Sequence, residues 1–253
     1  MARNKASHRN TKPVFQLQHD VAAKVEGPTK KRWTKHDIKP VQPLTQNQKN
    51  MFIQYYQGDH ITAYGSAGTG KTFLACYLAL NDVVDVNKDQ TRIIIVRSAV
   101  QAREIGFMPG TEEEKTQYFE KPYNDIFGEL VGRASTYKDM KAAGLVEFVT
   151  TTFIRGVTWD DAIIIADEIQ NFNADEINTL MTRVGKNSRV VLCGDTKQDD
   201  LKKKSNDSSG MGHLLKVIPH MDSFSMVKFE HADIIRSEFV KSWIIASETY
   251  GTK

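Results

Sequence analysis

Eight consecutive residues, Gly65-Ser66-Ala67-Gly68-Thr69-Gly70-Lys71-Thr72, carry the densest chemistry in the chain. Three glycines let a backbone curl until several N–H groups face one anion, and a cation and a hydroxyl follow directly. The spacing is G-x-x-x-x-G-K-[ST], a cradle for the phosphates of a nucleotide, in which Lys71 reaches the β- and γ-phosphates and Thr72 ligates magnesium. A second reactive pair is Asp167-Glu168, set directly after the apolar run Ile163-Ile164-Ile165-Ala166. An aspartate at such a strand end orients magnesium through its water shell, and a neighbouring glutamate suits a general base for water. That combination points to hydrolysis of a nucleoside triphosphate rather than to transfer onto a small acceptor.

The loop works only between a strand and a helix, so the flanking segments must supply both. Short β-branched runs at Ile61–Tyr64, Arg92–Val96, Val146–Thr150, Ala162–Ala166, Val190–Cys193 and Phe224–Phe229 predict six strands. Apolar residues at three- and four-residue spacing predict helices over Lys71–Val84, Asp175–Val184, Met211–Ile218 and from Asp233 to about Tyr250. Alternation of this kind predicts an α/β fold, a mostly parallel sheet flanked by helices around one P-loop NTPase core. In open sheets of this class ligands bind at the carboxyl ends of the strands, where both motifs fall. The stretch from Gln101 to Gly144 is too long for a simple connection and is rich in charged and aromatic residues.

The net charge of +3 hides an asymmetry. Residues 1–40 hold ten Lys/Arg against three Asp/Glu, whereas the remainder holds 24 against 28. The first 40 residues are also poor in apolar side chains, and are expected to form a flexible basic arm ahead of a globular domain over 41–253. The arm has two readings, an anchor for nucleic-acid phosphates or a solvated tail. Cys76 and Cys193 lie in apolar segments without metal-ligand spacing and are expected to be buried and reduced. No apolar run is long enough to span a membrane and the N-terminus lacks a signal-peptide core, so a soluble cytoplasmic protein is expected.

After the strand at 190–193 comes Gly194-Asp195-Thr196-Lys197-Gln198, which resembles the third motif of superfamily 1 helicases; the resemblance makes Gln198 a sensor of the γ-phosphate. Together with Asp167-Glu168-Ile169-Gln170-Asn171, Glu104-Ile105-Gly106-Phe107-Met108-Pro109-Gly110, the Lys115, Tyr123 and Asp125 positions and Arg155-Gly156-Val157-Thr158-Trp159, it resembles the PhoH family of helicase-like ATPases over residues 41–245. The resemblance implies a RecA/helicase-like core using ATP and Mg2+. Three positions depart from the family pattern: Ser98 stands for a proline after Arg97, Val157 for an arginine, and Lys202-Lys203-Lys204 where a proline is usual. The lysine triplet is either a solvated loop or a nucleic-acid contact.

Leu44-Thr45-Gln46-Asn47-Gln48 is similar to the segment with which related ATPases recognise adenine. Gln48 is at the matching position, and an amide can donate and accept at one base edge. Arg236 matches the arginine of an Asp-x-Val-Arg segment and resembles an arginine finger. With a single core leaving the nucleotide at an exposed sheet edge, it is expected to act in trans within a homo-oligomer, plausibly a ring. Two functions follow. The first is an ATPase motor or switch acting on RNA or single-stranded DNA, with the arm, the lysine triplet and the insert aromatics Phe107, Tyr118, Phe119, Tyr123 and Phe127 as candidate contacts, although core packing suits those aromatics better. The second is a nucleotide-dependent assembly or regulatory module with a protein partner, the arm serving as docking peptide.

Overall fold

A computed structural model of the protein describes residues 33–98, 112–196 and 210–251. In chain order the elements are α1 (Gln46–Gln57), β1 (His60–Gly65), α2 (Lys71–Val83), β2 (Arg92–Arg97), α3 (Glu112–Val131), α4 (Thr136–Ala142), β3 (Val146–Thr150), β4 (Ala162–Asp167), α5 (Ala174–Met181), β5 (Arg189–Asp195), α6 (Gly210–Val217), β6 (Phe224–Phe229) and α7 (Glu238–Tyr250). All six expected strands are present with ends within two residues of those read from the β-branched runs. Helices α1, α3 and α4 are additional to the expected set.

The strands form one parallel sheet in the order β3-β2-β4-β5-β1-β6. Their apolar runs are continuous because helices cover both faces. Alternate residues divide between two cores. Ile93, Ile95, Ile163, Ile165, Val191 and Cys193 pack with α1, α2, α3 and α4. Ile94, Val96, Ile164, Ala166, Val190 and Leu192 pack with α5 and α6. Both cysteines are buried and free. Because every strand runs the same way, the carboxyl ends of β1, β4 and β5 meet at one edge, with Gly65 opposite Asp195 and Asp167 opposite Cys193.

Three boundaries differ by three residues or more from those read in the sequence. Residues 33–40, counted with the basic arm by composition, pack on the domain, because two apolar side chains there find burial. Trp33 and Ile38 are buried, Arg133 lies over the Trp33 ring at 5.2 Å, and the Lys39 N–H donates to the Leu130 carbonyl at 2.7 Å. The last helix starts at Glu238, not Asp233. The Asp233 carboxylate is held by the Asn47 amide and the Glu230 N–H, both at 2.8 Å, which fixes a short 3-10 turn; the Ser237 hydroxyl then caps α7 from Val240 N–H. Helix α5 stops three residues early because Val184 bridges to Trp159.

Residues 33–40 are thus part of the folded body. Trp33→Ala is expected to cost about 3 kcal/mol, as emptying a buried aromatic site does. Urea unfolding measures it, and an unmoved midpoint would put this strap outside the cooperative unit.

Candidate nucleotide and metal site

The loop between β1 and α2 folds through glycine-specific backbone. Gly65 has φ 125°, and a Cβ there would lie 1.9 Å from the Phe229 carbonyl oxygen, so the close pass of β6 admits glycine alone. Gly68 and Gly70 take φ 71° and 84°. Gly70 begins α2 with no side-chain cap, leaving the first N–H groups of a 13-residue helix facing outward, the arrangement that attracts phosphate. Thr69 is buried and its hydroxyl donates to the Ser66 carbonyl at 3.2 Å. The Lys71 ammonium donates to the Ser66 carbonyl at 2.6 Å, the Gly65 carbonyl at 3.3 Å and the Thr69 hydroxyl at 3.4 Å. Burial lowers its pKa, opposed by the carboxylate of Asp195 and, more weakly, those of Glu168 and Asp167.

Gln48 is buried beside this loop. Its amide N–H donates to the Thr69 carbonyl at 3.0 Å and its oxygen accepts from Leu44 N–H at 2.7 Å, so it ties the start of α1 to the loop. Arg236 also belongs to the loop's surroundings. A Cβ on Gly68 would lie 3.1 Å from Arg236 Cγ and 3.7 Å from Nε, and Ile235 N–H donates to the Gly68 carbonyl at 3.2 Å. The aliphatic part of Arg236 packs on its own chain's loop, because the turn at Asp233 directs 235–236 back across β1. Helix α7 follows it there, with Ser66 donating to Glu248 at 3.1 Å and the His231 ring 2.7 Å from the same carboxylate oxygen.

The acidic pair sits across from the loop. Thr72 donates its hydroxyl to Asp167 Oδ1 at 2.7 Å, and Tyr123, from α3, donates to Asp167 Oδ2 at 2.7 Å. Burial and the Asp167 charge push the Tyr123 phenol well above its usual range, so its hydroxyl remains a donor. Glu168 adopts the left-handed conformation at φ 57°, unusual for a residue with a side chain. Burial, then the neighbouring Asp167, raises its pKa; Arg97 and Gln170 oppose the rise. Gln170 donates to Glu168 Oε2 and accepts from Asp195 N–H at 2.8 Å, so one amide links the ends of β4 and β5. The Arg97 guanidinium stands 3.9 Å from Glu168 Oε1.

The structure therefore gathers Gly65–Thr72, Gln48, Asp167, Glu168 and Arg236 around one sheet edge. Gln198, Lys202–Lys204 and the segment 104–110 lie outside the described residues. Ser98 meets a purpose of its own, donating to Glu176 at 3.3 Å. Tyr123, Arg97 and Gln170 are the residues that sequence reasoning gave no role at this site. Gln170 carried a signal in its fixed place two residues after Glu168, while nothing local pointed Tyr123 or Arg97 at the acids. Among the described residues no group of three or more His, Cys, Asp or Glu side chains is placed to cage a metal. Magnesium fits without one, since it is held by one or two protein oxygens together with phosphates and waters, and the paired Thr72 hydroxyl and Asp167 carboxylate are such a donor set.

The sequence profile described as PhoH-like protein matches residues 40–248. The chain belongs to the PhoH-like family. A PhoH-like protein of Mycobacterium leprae is 34% identical over 213 residues, which cover 84% of this chain and 60% of that relative. One from Bacillus subtilis is 32% identical over 209 residues, covering 82% and 64%, and Protein PhoH of Escherichia coli strain K12 is 30% identical over 203, covering 79% and 56%. The chain thus spans about three-fifths of the length of these relatives. A solved Pif1 helicase from Candida albicans aligns at 19% identity over 79% of this chain and 43% of its own, with a TM-score of 0.36, too low to equate individual residues. The fold is that of an α/β P-loop nucleoside triphosphatase. No helix among the described residues is long and apolar enough to cross a membrane.

Glycine specificity in the loop is testable against a matched control. Gly65→Ala combines positive φ with the Phe229 clash and should cost more than about 2 kcal/mol and abolish nucleotide binding, whereas Gly144→Ala, at φ 74° with nothing within 4 Å, should cost only the backbone term of about 1 kcal/mol. Equal unfolding midpoints for the two variants would discount the close pass of β6.

Proposed function

We propose that this chain hydrolyses ATP with magnesium and acts on RNA or single-stranded DNA as a helicase-like motor or switch. The observation that carries the reading is the 2.7 Å hydrogen bond from Thr72 to Asp167, which joins the phosphate loop to the acidic strand end beside a carboxylate of raised pKa. The N–H groups of residues 65–72 and the Lys71 ammonium bind the phosphates. Thr72 and Asp167 would hold magnesium, which when bound would supply positive charge against the phosphate oxygens. Glu168 accepts the proton of the attacking water at Oε1, since Oε2 is engaged by Gln170. A carboxylate whose pKa burial has raised is the stronger base for that step.

Gln198 senses the γ-phosphate. Gln48 contributes to the adenine side by holding the loop against α1. The contact of Arg236 with Gly68 supports an arginine that completes charge in cis, so a closed ring is not required to finish the site. The nucleic-acid half of the reading is supported by the charge of the first 40 residues, ten basic against three acidic.

Turnover of ATP measured alone and with RNA, single-stranded DNA or duplex DNA across a salt series tests both halves. Stimulation by single strands that fades steeply between low and physiological salt is expected, because counterions are released on binding. Glu168→Gln should keep magnesium-ATP binding and lose turnover by at least about a hundredfold. Turnover equal to the parent's would remove Glu168 as base, and stimulation indifferent to salt would favour a protein partner.

The cis assignment makes a separate forecast. Mixtures of Lys71→Ala and Arg236→Ala proteins should stay as inactive as either alone, since no subunit then holds both an intact loop and an intact arginine. Recovered turnover in mixed assemblies would restore action in trans.

A further inference from the structure

Asp167 is buried, and its two oxygens are engaged from opposite directions in the fold. Oδ1 accepts from Thr72, the last residue of the phosphate loop, and Oδ2 accepts from Tyr123, 44 residues away on α3 of the insert, both at 2.7 Å. A carboxylate held at one oxygen can still swing about its terminal bond. Held at both, it cannot turn without breaking a buried hydrogen bond. Tyr123 itself is fully enclosed, its ring packed near Phe148 at 5.9 Å, and a phenol so buried needs a partner; Asp167 supplies it.

The same face of α3 makes a second contact with the site. Phe119, one turn before Tyr123, lies 6.0 Å from the Arg97 guanidinium, which in turn faces Glu168 Oε1 at 3.9 Å. Further contacts anchor α3 to α4, where Phe127 packs on Tyr137 and Glu120 is bridged by Lys141 at 2.6 Å. Both α4 and α2 pack with it in one core. Pro122 lies inside the helix directly before Tyr123 and removes one helical hydrogen bond at that turn, which makes this the point where α3 bends most easily.

We propose that Tyr123 is a positioning residue of the magnesium site: its hydroxyl fixes the orientation of Asp167, so that divalent-metal affinity depends on that one hydrogen bond from α3 of the insert. This rests on the reading that Thr72 and Asp167 hold magnesium. Outer partners of metal-ligating carboxylates orient them, and losing one costs roughly 10- to 100-fold in metal affinity.

The test is metal binding without turnover. Mn2+ is titrated into the full-length protein saturated with ADP and followed by electron paramagnetic resonance, with Mg2+ competition giving the affinity for magnesium. Tyr123→Phe keeps the ring and should weaken magnesium binding about tenfold, while metal-free ADP affinity changes by less than about twofold. Tyr123→Met fills the space without a hydroxyl and should behave alike. Phe127→Leu loosens the same helix but leaves the Tyr123 to Asp167 bond, and should leave metal affinity unchanged. Parental affinity in Tyr123→Phe or Tyr123→Met overturns the proposal, as does an equal loss in Phe127→Leu, which would mean general loosening. Thr72→Ala with undiminished metal binding would instead overturn the magnesium assignment itself, whatever the tyrosine variants do.

Discussion

The contact on which the site depends is the hydroxyl of Thr72 against the carboxylate of Asp167. Their strands are not neighbours: β5 lies between β1 and β4, so the two chain segments start two strand spacings apart, about 10 Å. Backbone pairing cannot close that distance. The loop closes it by carrying the chain over the edge of β5 and starting α2 so that its first turn overhangs the sheet. Each glycine conformation in the loop serves that path, and Gly65 is forced by the Phe229 carbonyl on the other flank.

The parallel sheet is the second half of the same constraint. Only parallel strands bring three carboxyl ends to one edge, and parallel strands need helices on both faces. The alternating isoleucines of β2 and β4 satisfy both demands, since one set enters the core of α1 to α4 and the other enters the core of α5 and α6. Asp195 ends β5 between the two motifs, and Gln170 bonds its N–H while holding Glu168, so one amide joins the middle strand to the acidic end of β4.

Around that edge the chain adds two covers. From one side α3 reaches Asp167 with Tyr123 and Arg97 with Phe119; from the other, residues 235–248 lie along the phosphate loop through Arg236, Ile244 and Glu248. Hydrogen bonds from both covers end on groups that would meet the ligand, which makes the seating of α3 and α7 part of the site's electrostatics rather than mere enclosure. In the proposed ATPase, changes in either cover would alter the ligand's surroundings without altering the loop.

What was legible in the sequence is what short-range stereochemistry dictates. The spacing of Gly65, Gly70, Lys71 and Thr72, the acids closing an apolar strand, and the six β-branched runs each depend on neighbours within about ten residues, so they identified the loop, the acidic end and a parallel α/β sheet. Trp33 and Ile38 escaped a reading by composition because two well-placed apolar side chains can anchor a segment whose average is polar. The insert aromatics divided as core packing suggests for Tyr123 and Phe127, which are buried, while Tyr118 is exposed. No local pattern could show that Tyr123 also donates to Asp167, that Arg97 faces Glu168, or that Arg236 turns onto its own Gly68. Those contacts join residues 44, 71 and 168 positions apart, and they exist only because the sheet order and the helices packed on it bring distant segments to one edge.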